Sequence, residues 1–341
     1  MTAAHSRRVG QVAKWTAATA GLAILVTAVF VFAQSGTKQT HQSDALAQFN
    51  TRGLTIPRDQ IRSGGPPKDG IPSLTDPKTV AVKDAEYADG DRMVVVTVDE
   101  ATRAYPIKVL NWHEAINDKL GEVPFAVIYC PLCDSASVVD RRMGDATLEF
   151  GISGLLYNSN VLLYDRKHNA LWSQVGLEAV SGPHAGESLK HLPWSITTFG
   201  QLKKKHPEAS VVTTETGHRR DYTRNPYTRY FTNDRLMFPV AHHDHRLKHK
   251  EPVVGVLVGD HSKAYPIARI VKAGGEVTDR LGDHKITLKA DDAGNVAVVE
   301  APAEARTVHT FWFAWVAFHP KTDLFEAKSP DDHATGMIRM E

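Results

Sequence analysis

Cys130 and Cys133 are the only cysteines in a chain of 341 residues, separated by Pro131 and Leu132 alone. Two thiols at that spacing can close a small ring, exchange with another disulfide, or supply half of a metal site. Thiolates are soft donors that favour Cu(I), and together with an imidazole they also suit Zn²⁺. An imidazole stands upstream in Asn111-Trp112-His113-Glu114. That makes His113 and Glu114 candidates for acid–base work, and Cys130, Cys133 and His113 the candidate ligands for Zn or Cu. A purely structural staple is the weaker use of the pair. A four-residue ring contributes roughly 2 kcal/mol, against roughly 4 to 5 for a loop of about a hundred residues, and a chain this long buries a large core without help.

Local elements must bring these groups together. Residues 125–129 form an unbroken apolar run that reads as a buried strand ending on Cys130, with a tight turn after it. A short helix opening near Ile107 would carry Val109, Trp112, His113 and Ile116 on one face, and residues 118–121 read as the turn into the cysteine strand. Adjacent helical residues differ by about 100° in direction. His113 and Glu114 therefore cannot both face one ion, and His113 ranks first. Thiol redox chemistry is the other reading of Cys-Pro-x-Cys, although thioredoxin-like motifs open a helix and residues 134–139 read as a returning strand.

Further strands are expected over residues 92–98, 135–141, 146–151, 160–164, 170–173 and 209–214, with a helix over 198–205 and a buried strand over 311–315. Strands outnumber helices, which gives an α+β fold of mostly antiparallel strands with a few short helices. The Gly- and Pro-rich stretch 63–72 is a shaped loop, either an arm strapped over the domain or a wall of a binding site. His242, His243, His245 and His249 sit in a polar, solvated stretch.

The chain also repeats itself. Ala104-Tyr105-Pro106-Ile107 recurs as Ala264-Tyr265-Pro266-Ile267, each behind a valine-rich run, and Asp118-Lys119-Leu120-Gly121 recurs as Asp279-Arg280-Leu281-Gly282. Tyr164-Asp165-Arg166-Lys167 aligns in the same manner with Phe318-His319-Pro320-Lys321. The reading is an internally duplicated unit, 57–215 and 216–341. Asp291 and Gly294 replace the cysteines in the second copy, so the fold itself does not require the thiols.

Residues 15–33 carry no charge, are long enough to cross a bilayer, and follow Arg7, Arg8 and Lys14. Residues 1–33 thus read as a signal anchor in the inner membrane or a signal peptide, and 34–56 as a tether. The globular part is expected outside the cytoplasm, periplasmic or extracellular, and secreted if the signal is cleaved. There a disulfide is as accessible as a metal clip. The 40 Lys and Arg against 39 Asp and Glu, with no long basic run, exclude nucleic acid as a partner.

Tyr129-Cys130-Pro131-Leu132-Cys133-Asp134-Ser135-Ala136, Asn111-Trp112-His113-Glu114, residues 150–159, Tyr164-Asp165-Arg166, Leu171-Trp172-Ser173-Gln174 and the loop 64–70 resemble the hallmark stretches of domain-of-unknown-function family 3179. The likeness runs from about residue 57 to about 325, and Phe311-Trp312-Phe313-Ala314-Trp315 with Phe318-His319-Pro320 resembles the family's C-terminal signature. It implies exported proteins without an established reaction, and it adds Asn158 and Arg166 to the catalytic candidates. Two functional readings follow. One is a membrane-anchored extracytoplasmic protein whose thiolate and histidine site holds Zn or Cu, or does thiol redox chemistry, on a small molecule. The other is a noncatalytic ligand-binding module with a structural disulfide.

Overall fold

The computed structural model describes residues 45–326, so the expected membrane span at 15–33 lies outside the described residues. Among the described residues no helix is long and apolar enough to cross a membrane.

Valine-rich stretches separated by two turn residues pair with their chain neighbours, and that local rule builds most of the sheet. Arg92–Val98 pairs antiparallel with Ala101–Pro106, the helix Ile107–His113 follows, and Ala115–Leu120 then pairs antiparallel with Val123–Cys130. Pro252–Val258 with His261–Pro266, the helix Ile267–Lys272, and Glu276–Leu281 with His284–Ala290 repeat that succession. The correspondence extends further. Each first hairpin gains an outer antiparallel strand, Trp194–Thr198 in one case and Arg306–Phe311 in the other. Each outer strand leads into a seven-residue helix, Phe199–Lys205 or Trp312–Phe318. Each helix returns to a short parallel strand, with Val211 opposite Ala104 and Leu324 opposite Ala264.

The echoing motifs are two ends of one contact. Tyr105 donates its hydroxyl to Asp118 at 2.7 Å and Arg103 pairs with the same carboxylate at 2.7 Å. In the second region Lys263 pairs with Asp279 at 2.7 Å beside Tyr265. An eight-stranded mixed sheet joins the regions, because Ser135–Asp140 lies against Arg306–Phe311 with Ala136 opposite His309. What the second region lacks is the stretch 131–193. This holds the cysteine turn and four strands of a five-stranded sheet built on Phe150–Tyr157 and Asn160–Asp165, whose fifth strand is Arg62–Ser63, where the second region has only Val296–Glu300.

Four expectations change. Residues 118–121 are not a turn alone, since Ala115–Leu120 is a strand, which also takes Ile116 off the helix face that ends at His113, and Gly121, at φ +56°, makes the bend. Residues 146–151 split between a two-residue strand, Ala146–Thr147, and the start of Phe150–Tyr157. The apolar run from Phe311 is mostly helix. Trp312 and Trp315 pack into one core while Phe313 and Ala314 pack into another, so the helix is apolar all round and carries no period to read. Finally, the counterpart of Phe318-His319-Pro320 is Lys205-His206-Pro207 and not the segment from Tyr164. Both helices stop at a histidine before proline, at φ −135°, ψ 65° and φ −127°, ψ 67°, as the restriction on a residue preceding proline demands.

Candidate functional site

Cys130 ends its strand and pairs with Ser135 across a four-residue turn. Within it the Cys133 N–H donates to the Cys130 carbonyl at 3.2 Å. Asp134 takes a left-handed φ of +44°, and its carboxylate accepts from the Tyr129 hydroxyl at 2.7 Å and from Arg92 at 2.9 Å. That partly buried pair anchors the turn from behind. Both thiols are free and buried.

The two sulfurs differ. Burial pushes Cys133 well above the ordinary thiol value, reinforced by its hydrogen bond to Cys130. Burial acts on Cys130 as well, but there it is outweighed by hydrogen bonds from the Cys133 thiol and from the backbone N–H groups of Val161, Cys133 and Leu132. Cys130 therefore falls below its ordinary value. Of the two, Cys130 is the more readily ionised and Cys133 the more reluctant to lose its proton.

Glu114 stands beside them. The helix ends at His113, and Glu114 adopts a left-handed conformation at φ +57°. Its carbonyl accepts the Tyr129 N–H at 2.7 Å, which holds Glu114 next to the end of the cysteine strand. Burial, and then the charge on Cys130, push its carboxyl well above the usual range. Glu114 thus holds its proton more tightly than an exposed glutamate does.

His113 faces elsewhere. Its Nδ1–H donates to the Pro72 carbonyl at 2.7 Å, and its Nε2 accepts from the Tyr222 hydroxyl at 2.7 Å, which lies 2.5 Å from Thr216 Oγ1. Burial lowers it to about 4. It is a neutral strut between the Gly-Pro loop and residues 216–222, and the ranking of His113 above Glu114 is reversed. The helix-face argument holds, since the two side chains do diverge, but the cysteines lie on the Glu114 side. The candidate ligand set Cys130, Cys133 and His113 is not brought together. Among the described residues no three His, Cys, Asp or Glu side chains converge as a metal-holding group.

Asn158 and Arg166 support walls without meeting the thiols. Asn158 donates to the Ala317 carbonyl at 3.1 Å and accepts from the Ala241 N–H at 2.9 Å. Arg166 binds the Asp69 carboxylate at 3.0 and 3.1 Å and Glu149 at 3.1 Å. It clamps the Gly-Pro loop, which is both arm and wall. Gly64 donates to Gly154 at 2.8 Å and Asp69 to Ile152 at 2.9 Å. Gly154, at φ +75°, is where a Cβ would strike the Pro66 carbonyl.

Between loop and strand lies a cavity of about 130 Å³. Its lining is apolar, including Pro66, Ile152, Leu156, Tyr227 and Phe238, except for Glu114 and Cys130. Cys130 reaches it and Cys133 does not.

Sequence reasoning missed the backing of the turn. Ser135 donates to Gln174 Oε1 at 2.6 Å, Asn160 Nδ2 donates to the same oxygen at 2.8 Å, and Gln174 Nε2 donates to Ser137 at 3.3 Å, all buried. Asn160 also hydrogen-bonds Cys133 and draws its proton affinity down. The available signal was the pair of serines in an otherwise apolar strand.

No curated protein and no solved structure matches this chain. The family of proteins of unknown function DUF3179 does match, over residues 68–310, a span that takes in the loop clamped by Arg166, Glu114, both cysteines and the Asn160 network. Because that match covers well over half of the sequence, the chain belongs to DUF3179.

Proposed function

We propose that the protein carries out thiol–disulfide exchange on a small molecule, with Cys130 as the attacking thiolate, Cys133 as the resolving thiol and Glu114 as the acid. One observation carries this reading: the thiol with depressed proton affinity is the one that lines the cavity, beside a carboxyl whose proton affinity burial raises. Cys130 attacks one sulfur of a substrate disulfide, the substrate S–S bond breaks, and the departing thiolate takes the proton of Glu114. Cys133 then attacks the Cys130 sulfur of the mixed disulfide, and its proton leaves with the second substrate thiol. The substrate is reduced by two electrons and the cysteine pair is oxidised to a disulfide. Glu114 recovers its proton from solvent.

The experiment is stoichiometric. Reduced protein mixed with a small aromatic disulfide should release two thiols per chain and end with Cys130 joined to Cys133. Cys133→Ser should release one and retain a mixed disulfide. Unreactive thiols in the native protein, with normal reaction after unfolding, would return the pair to a structural role.

The shared succession and pairing of strands support an internally duplicated unit, with the thiol turn and its five-stranded sheet inserted into the first copy. The uncharged run 15–33 behind Arg7, Arg8 and Lys14 supports an inner-membrane anchor with the site outside the cytoplasm. An alkaline phosphatase fusion placed after residue 50 should be active, and an inactive fusion removes that location.

A further inference from the structure

We infer that the substrate of this site is an anionic thiol or disulfide, whose small apolar end enters the cavity while its acid group stays at the mouth among the arginines of residues 217–235. This rests on the thiol-exchange reading and names the substrate class for it.

The outer wall of the cavity is made by Tyr227, Met237 and Phe238. The chain around them carries Arg219, Arg220, Arg224, Arg229 and Arg235, all exposed. Two acids share the stretch. Asp221 accepts from the Thr223 hydroxyl at 2.5 Å and Asp234 lies 3.3 Å from His249. Five arginines against two aspartates leave +3 on a segment of a chain whose formal net charge is +1. Several arginines elsewhere are engaged: Arg92, Arg103, Arg142, Arg166 and Arg246 each hold a carboxylate. Among the described residues, none of the ion pairs involves the five in this segment, and Arg220 instead lies over the Trp112 ring at 5.9 Å.

The segment is also fixed in place. The Lys250 ammonium donates to the carbonyls of Tyr230 at 2.5 Å, Asn233 at 2.6 Å and Arg235 at 2.9 Å, and Asn158 secures Ala241 at 2.9 Å. Arg224, Arg229 and Arg235 each lie within three residues of Tyr227 or Met237 on the outer wall, and exposed guanidinium groups without a carboxylate partner attract anions and present forked donors to a carboxylate or phosphate. Inside, the lining is apolar and contains no cation, so a charged group gains nothing by entering. The cavity, about 130 Å³, is close to the roughly 150 Å³ that admits benzene. The part that enters is a single ring or a short alkyl group.

The test uses the full chain, reduced, with three probes: the dianionic 5,5′-dithiobis(2-nitrobenzoate), the neutral 2,2′-dithiodipyridine and the cationic cystamine. Each rate is divided by the rate of the same probe with free cysteine. The anionic probe should then be the fastest, and added salt should slow it alone. Arg224→Gln with Arg229→Gln and Arg235→Gln should slow it by about tenfold or more while leaving the neutral probe unchanged, which also shows that the variant is folded. Equal normalised rates, or equal slowing of anionic and neutral probes in the triple variant, overturns the inference and leaves the thiol chemistry standing. Failure of all three probes to react at Cys130 removes both.

Discussion

Apart from the extra strands between 142 and 179, residues 92–212 and 252–324 run through the same succession of strands in the same pairing, yet they close differently where chemistry could occur. In the first region the strand ending at Cys130 enters a turn carrying two thiols. In the second, the equivalent turn begins at Asp291, whose carboxylate accepts from the N–H groups of Ala293 and Asn295 at 3.0 Å each and from the Thr197 hydroxyl at 2.7 Å. That aspartate satisfies its own loop and needs no ligand. The residue before the third strand differs in the same sense. Gly275, at φ +82°, accepts the Ala290 N–H at 2.6 Å, just as Glu114, at φ +57°, accepts that of Tyr129 at 2.7 Å. A left-handed position is cheap for glycine and strained for glutamate. The frame therefore accommodates a relaxed closure and a strained one, and the strain falls on the residue beside Cys130.

Packing marks the equivalence independently. Val95 opposite Ala104 packs in one core with Leu202, whereas Gly255 opposite Ala264 leaves room for Trp315. Each pair fills its space with a different division of volume, as dense cores require.

The largest effect expected from breaking the comparison is chemical. Cys130→Ser makes the first region resemble the second and should abolish disulfide exchange altogether, with an unchanged circular dichroism spectrum. Retained exchange would place the reactive thiol at Cys133. Next comes the core. Gly255→Val drives a side chain into the Trp315 ring and should cost at least about 3 kcal/mol in urea unfolding. Adding Trp315→Leu, which copies Val95 and Leu202, should recover part of that loss. If the double variant is no better than the single one, the two cores are not equivalent.

Acid should act on both regions together. His113, His191, His309 and His319 are each lowered by burial from 6.5 to about 4. Between those values the unfolded chain binds more protons than the folded one, so stability is complete above about pH 6.5 and falls as pH drops towards 4. The midpoint of thermal unfolding should decline between pH 7 and pH 5, and a flat profile would mean that these rings are not held neutral. The smallest effect sharpens the contrast most. Glu114→Gly should raise stability by about 1 kcal/mol, the relief of a left-handed glutamate less the backbone entropy of glycine, while slowing the first exchange step. A less stable variant would show that Glu114 is not strained, and an equally fast one that it is not the acid.

The sequence alone determined the parts governed by near neighbours. Valine runs around two-residue turns named the hairpins, the apolar stretch to Tyr129 named the cysteine strand, and the echo of Ala-Tyr-Pro-Ile with Asp-x-Leu-Gly signalled a contact that recurs as tyrosine beside aspartate. Tertiary structure decided what depends on direction or distance. No local signal shows that the helix stops at His113 and that Glu114 turns left-handed, because that conformation is usually announced by glycine, and one residue of helix reverses which side chain meets Cys130. The helix Trp312–Phe318 gave no period because two cores cover it. Gln174 behind Cys133, and the arginine-bearing segment over the cavity, arrive from far along the chain. Their placement comes from sheet pairing and from the hold of Lys250 and Asn158, interactions that exist only once the distant strands have closed.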